Sequence, residues 1–183
     1  MIYLLGEIQI TPPLQGIHLA YLDRFSRTRR MMWDASLLEK KRDPLRESVG
    51  LPIGADGAYY VGSEIHSTET DNPALLRHND PPDEQPGLWC SWQPSGDGES
   101  YVWVSSQNYT YNDWLKYLIA HFFKPWHYTL SGKLECNDYF SKSVSLNGDK
   151  ENQIDVPYVE RSELIVKDNT VIEKLLGTFK DER

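Results

Sequence analysis

The chain opens with "YLLGEIQI", in which Leu4, Ile8 and Ile10 alternate with Glu7 and Gln9. Successive side chains of a strand face opposite ways, so this spacing predicts a half-buried strand. The following "TPPL" stops it, because proline brings no amide hydrogen to a ladder. In "LQGIHLAYLDRFSRTRRMM" the period lengthens. Ile17, Tyr21, Leu22 and Phe25 share one side of an amphipathic helix, and Asp23, Arg24, Arg27 and Arg30 the other. Arg29 stands four residues after Phe25 and would start on the apolar side if the helix continued. Either the helix frays near Thr28 and Arg29 reaches solvent, or Arg29 leans inward toward a carboxylate or ligand. An arginine buried without its partner costs about 3–5 kcal/mol.

From residue 34 to 80 the pattern is irregular, with "AYYVG" a brief strand after the "ADG" turn. Residues 64–86 read as an acidic, proline-rich surface loop ending in "NDPPDEQPG". "PGLWCSWQPSGDGESYVWVSS" then predicts a hairpin. With Asp97 at the centre of its connection, Trp92 faces Val102, Cys90 faces Val104 and Ser91 faces Trp103. One face is then wholly apolar. The other carries Trp89, Tyr101 and Trp103 among small polar residues, and is either covered by a loop or a docking surface. A one-residue shift would mix the two faces.

In "TYNDWLKYLIAHFFKPWHY", Thr110 and Asp113 resemble a capping box and Pro125 sets the stop. Asp113, Lys116, Tyr117, Ala120 and Lys124 form a narrow polar stripe. Trp114, Leu115, Leu118, Ile119, Phe122 and Phe123 cover most of the remaining circumference, which predicts a central packing element. "YTLSGKLEC" alternates as a strand, "NDYFSKSVSLNGDKENQ" reads as a loop, and "SELIVKDNTVIEKLL" supplies a last strand with a turn at "KDN". Residues 174–183 read as a frayed tail. "LLGEIQI" and "LSGKLEC" share a Leu-x-Gly-x-(Ile/Leu) spacing. The expected fold is a single α+β domain over residues 1–183, with a mainly antiparallel sheet and two principal helices packed on it.

At 183 residues, with 39% hydrophobic and 25% charged positions, the chain can bury a core without disulfide or metal; 12% aromatic residues and six Trp are an excess that needs a place. Cys90 and Cys136 lack CxxC spacing, and the first residues lack a basic n-region, so reduced thiols and a cytoplasmic location are expected, with no membrane span. Charge is uneven. Residues 1–50 hold eight Lys/Arg against six Asp/Glu, whereas residues 51–110 hold nine acids and Arg77 alone. An acidic middle argues against non-specific duplex binding and suits a basic protein partner.

"GEIQITPPL" with "FSRTRRM", "DPLRESVGLPIGADGAYYVG", "NDPPDEQPGLWCSW", "YNDWLKYLIAHFFKPWHYTLSGKLE" and "IVKDN" together resemble a family of uncharacterised bacterial proteins. The resemblance spans roughly residues 6–169 and implies one domain; it implies no activity. Where that family has an acidic, glycine-rich connection before the long helix, this chain has "SSQNYT".

His18, His66, His78, His121 and His127 show no ligand spacing, and "GADG" and "SGDG" are turns rather than phosphate cradles, so no metal or cofactor is expected. The carboxylates of "ETDN" and "NDPPDE" could gather near His66 and His78 as in a hydrolase. Arg24, Arg27, Arg29 and Arg30 could grip an anion, or simply form an exposed basic face. The leading expectation is a non-enzymatic protein-binding module using Trp89, Tyr101, Trp103, Asp80, Asp83 and Glu84. Such a module would suit a stoichiometric inhibitor of the immunity or anti-defence type, encoded by a bacterium or mobile element. The alternative is a small hydrolase or a nucleotide- or anion-binding protein that uses the arginines and loop acids.

Overall fold

The computed structural model describes residues 1–39, 42–54, 72–105, 108–145 and 153–181. "AYYVG", His66 and the first part of the acidic loop lie outside the described residues. Two short strands, Ile2–Leu5 (β1) and Ile8–Thr11 (β2), precede the helix Gly16–Arg27 (α1). Met32–Trp33 (β3), Ala35–Leu38 (α2), Pro44–Ser48 (α3) and Leu75–Arg77 (β4) follow. Asp34 and Asp43 start the two short helices by accepting hydrogen bonds from backbone N–H groups of the first turn. Then come Trp92–Pro94 (β5), Ser100–Trp103 (β6), Tyr111–Leu118 (α4) and the long strands Thr129–Ser145 (β7), Gln153–Lys167 (β8) and Thr170–Lys180 (β9).

The protein is α+β with an antiparallel main sheet ordered β5-β6-β2-β7-β8-β9, while β1 continues the line of β2 along β7. β3 and β4 form a separate pair over a small cluster of Met31, Trp33, Leu38 and Ala74. The two segments with shared Leu-x-Gly spacing are neighbours. Gly132 faces Ile8, and a Cβ on Gly132 would stand 2.7 Å from the carbonyl oxygen of Glu7, so the close approach of the two backbones excludes any side chain there.

Helices cover one face of the sheet. Leu130, Leu134 and Cys136 of β7 and Leu164 and Val166 of β8 point to that side and are buried with Tyr21, Leu22 and Phe25 of α1 and Trp114, Leu115 and Leu118 of α4. Lys133 and Glu135 point to the opposite side and are exposed. α4 continues through Ile119–Phe123 as a π-helical turn, in which Lys124 N–H donates to Ile119 O at 3.0 Å; Phe122 and Phe123 are both fully buried there. No helix among the described residues is long and apolar enough to cross a membrane.

Several local expectations need correction. Residues 137–145 are strand, not loop. Their polar sequence hides nine consecutive partners with β8, from Asn137↔Arg161 to Ser145↔Gln153. The supposed frayed tail is mostly β9, which pairs with β8 from Thr170 to Lys180 around a two-residue turn, Asp168 and Asn169, both at positive φ. Within the acidic loop, Leu75–Arg77 is a strand held by Met32 and Trp33. Thr110 does not cap α4; its own N–H and hydroxyl donate to Asn108 Oδ1. Tyr117 leaves the polar stripe and is buried, because Gln85 Nε2 donates to its hydroxyl at 3.0 Å.

Candidate functional site

The hairpin of β5 and β6 differs from its expected register by one residue. Trp92 pairs with Trp103, Gln93 with Val102 and Pro94 with Tyr101. The turn causes the shift. Ser95 N–H donates to Ser100 O at 2.8 Å and Gly98 N–H to Ser95 O at 2.9 Å, with Gly98 at φ 75°, so the connection centres between Asp97 and Gly98 rather than on Asp97. A slip of one residue turns side chains to the other face. Trp92, Tyr101 and Trp103 therefore share the helix-covered side. Trp92 and Tyr101 are fully buried and stack at 6.1 Å, Trp103 is 9% exposed, and the Trp92 indole donates to Tyr111 O at 2.8 Å. Tyr101 and Trp103 thus belong to the core and are removed from the expected partner face.

Trp89, Asp80, Asp83 and Glu84 remain outside. Trp89 is 37% exposed, and the three acids are exposed, with Asp80 3.4 Å from Arg77 in a surface pair. Their loop is tied to the core by a post that sequence reasoning placed on the wrong side. Arg30 is fully buried, with its guanidinium carbon 4.1 Å from the centre of the Phe25 ring. Its Nε donates to Gln85 Oε1 at 3.1 Å, and its backbone N–H to Leu88 O at 2.7 Å. Gln85, itself buried, passes the link on to the Tyr117 hydroxyl. Asn108 Nδ2 donates to Trp89 O at 3.1 Å and fixes the far end.

The reason for the misplacement is where α1 stops. Arg27 is its last residue and Thr28 is already extended at φ −97° and ψ 129°, so period two replaces period 3.6. Thr28 and Arg30 turn inward, and Arg29 lies half-buried between them, donating from Nη2 to Asn79 Oδ1 at 2.8 Å. Arg27 instead pairs with Asp23 at 2.9 Å on the helix surface. Arg27, Arg29 and Arg30 are thus each held by a different side chain, Asp23, Asn79 and Gln85. A helix end near Thr28 is one of the two readings of the sequence, but no residue there shows that the extended chain beyond it turns Arg30 inward.

His18 stacks on Trp126 at 4.2 Å and its Nδ1 lies 2.8 Å from the Tyr128 hydroxyl, with burial lowering its pKa. His121 stacks on Tyr117 at 4.1 Å, His78 Nδ1 donates to Asn79 Oδ1, and His127 is exposed. Among the described residues no three His, Cys, Asp or Glu side chains gather as a metal site. A cavity of about 160 Å³ beside the start of α4 is lined by Tyr109, Tyr111, Cys136, Asp138, Glu160 and Ser162. The Tyr111 hydroxyl donates to Glu173 Oε1, and Asn112 Nδ2 to Glu173 Oε2 at 2.8 Å. Burial raises the pKa of both Tyr111 and Cys136, so neither is poised as a nucleophile at neutral pH. Cys90 is fully buried, and its thiol is pushed up to about 12 by burial.

Comparison of the chain with protein-family models, with curated protein sequences and with solved structures finds no match.

Proposed function

We propose that this protein is a binding module that presents its acidic loop, with Trp89 at one side and Asp80, Asp83 and Glu84 projecting, to a basic surface of another protein. The observation that carries the reading is the Arg30–Gln85–Tyr117 tie beneath the loop. It holds the chain around the three acids from below and leaves their side chains in water. A loop already held in place loses less conformational freedom when a partner arrives, so more of the contact energy appears as affinity. The pair between Asp80 and Arg77 is exposed and worth at most about 1 kcal/mol, little enough for a partner cation to displace. Stoichiometric inhibition of that partner is the mode of action that suits a charged loop already held in place.

The experiment captures partners from the source cells with the wild-type chain and with Asp80→Asn/Asp83→Asn/Glu84→Gln. It then follows association of the captured protein at low and high salt. The reading expects a stoichiometric complex whose association slows with salt in the wild type and much less in the triple variant, since charge steering is screened over about 8 Å at physiological ionic strength. Equal rates for both chains at both salts would remove the loop from the interface.

A further inference from the structure

β9 is the last strand of the main sheet, and among the described residues nothing pairs with its outer edge. It is eleven residues long and carries Ile172 at 52%, Leu175 at 61%, Leu176 at 47% and Phe179 at 46% exposure. Proteins usually blunt such an edge with shortness, charge or a covering element, because its free N–H and C=O groups template pairing with another chain. Here apolar side chains and an open ladder coincide.

We propose that a second copy of this chain adds its own β9 antiparallel to this edge, joining the two sheets across a twofold axis between Leu175 and Leu176. The register follows from the faces. Ile172 lies across from Ile165 and Lys133, and Phe179 across from Val159 and Tyr139. Lys133 and Tyr139 are an even number of residues apart on β7, so Ile172 and Phe179 share the sheet face opposite the helices although they are seven apart on β9. The bulge that pairs Ser162 with Leu175 but Arg161 with Gly177 makes this possible, because it inserts Leu176 and reverses the alternation.

A copy centred between Leu175 and Leu176 meets its mate with matching faces along the whole strand. Ile172 stands opposite the partner's Phe179, Lys174 opposite the partner's Gly177, Glu173 opposite the partner's Thr178, and Leu175 opposite the partner's Leu176. The twofold axis repeats each pair, so Ile172 and Phe179 of both copies build two apolar pairs on the uncovered face. No like charges oppose each other, and Glu173 has the partner's Lys180 as a diagonal neighbour of opposite sign. Other registers lose this fit. Centring on Lys174 sets it against its own copy, and a shift of one residue in the opposite pairing places Ile172 across from Thr178 on the wrong face. The strand is complementary to itself, which selects a second copy over an unrelated partner. This inference uses β9 alone and is independent of the acidic loop.

The test uses the full chain. Sedimentation equilibrium of the wild type should show a concentration-dependent dimer. Ile172→Lys/Phe179→Lys places cations opposite one another and should raise the dimer Kd by more than about a hundredfold, given several kcal/mol for opposed like charges. An equimolar mixture of Ile172→Cys and Phe179→Cys chains, mildly oxidised, should give a disulfide-linked dimer that neither chain forms alone; Cys90 and Cys136 are buried and do not contribute. A wild type that stays monomeric overturns the proposal, and so does a dimer that yields no cross-link in the mixture. Should the lysine variant fail to fold, the cysteine mixture decides by itself.

Discussion

The sheet has two edges built by opposite rules. At β5 the edge is three residues long, ends in Pro94, which has no N–H to offer, and lies against α1 with Trp92 fully buried. At β9 the edge runs eleven residues with four large apolar side chains in water. Shortness, proline and the packing of α1 close the first against intruding strands; the second is long and free of proline, and α4 touches it near Glu173, whose carboxylate accepts from Tyr111 and Asn112. The difference teaches that the two ends of one sheet carry different tasks: β5 is where the core is sealed, and β9 is where, among the described residues, the ladder ends unpaired.

The contrast is broken most severely at Trp92. Trp92→Ala removes a fully buried indole that stacks on Tyr101 and donates to Tyr111 O, and should cost about 3–5 kcal/mol in urea unfolding, whereas Ile172→Thr on the open edge should cost the monomer less than about 0.5 kcal/mol. Similar losses at the two positions would show that β9 is covered after all.

Arg30→Ala should cost on the order of 3 kcal/mol, from a desolvated cation–π contact and a buried charged hydrogen bond, while Arg27→Ala removes an exposed pair worth at most about 1 kcal/mol. Thermal melts of the two variants compare the post with the surface. Proteolysis near residues 78–91 should also quicken in Arg30→Ala, because the loop loses its anchor.

The open edge is held at its root by Asn169. Its Oδ1 accepts from Leu130 N–H at 2.7 Å, its Nδ2 donates to Tyr128 O at 2.8 Å, and its φ is 64°. Asn169→Ala should cost about 2 kcal/mol, and Asn169→Gly should recover the part that belongs to the left-handed backbone but not the part that belongs to the two bonds. If both variants melt together, the side-chain bonds carry the whole effect.

The smallest effect has the opposite sign. Among the described residues the buried Tyr101 hydroxyl has no hydrogen-bond partner, so Tyr101→Phe should leave stability unchanged or raise it by about 1 kcal/mol. A clear loss in denaturant titration would mean that the hydroxyl is satisfied.

Much of this architecture is written locally. The alternation around Ile8 and Ile10, the apolar side of α1 at Tyr21, Leu22 and Phe25 though not at the exposed Ile17, the circumference of α4 and the turn at Asp168 and Asn169 follow from short-range periodicity or backbone preference and stand close to where the residues imply. The candidate loop was legible only as a composition, acidic and rich in proline. What escaped was decided by partners distant in the chain. Residues 137–145 have no strand signal of their own and become β7 because β8 supplies a ladder for them. Tyr101 and Trp103 enter the core because Gly98 moves the centre of a turn by half a residue, and a strand's period of two converts that step into a change of face. Arg30 becomes the post beneath the loop because α1 ends three residues earlier and the extended chain turns it toward Phe25 and Gln85. A sequence specifies which residues prefer water and with what period; register and the end of a helix settle which side of the period each residue takes, and those depend on contacts that only the folded chain brings together.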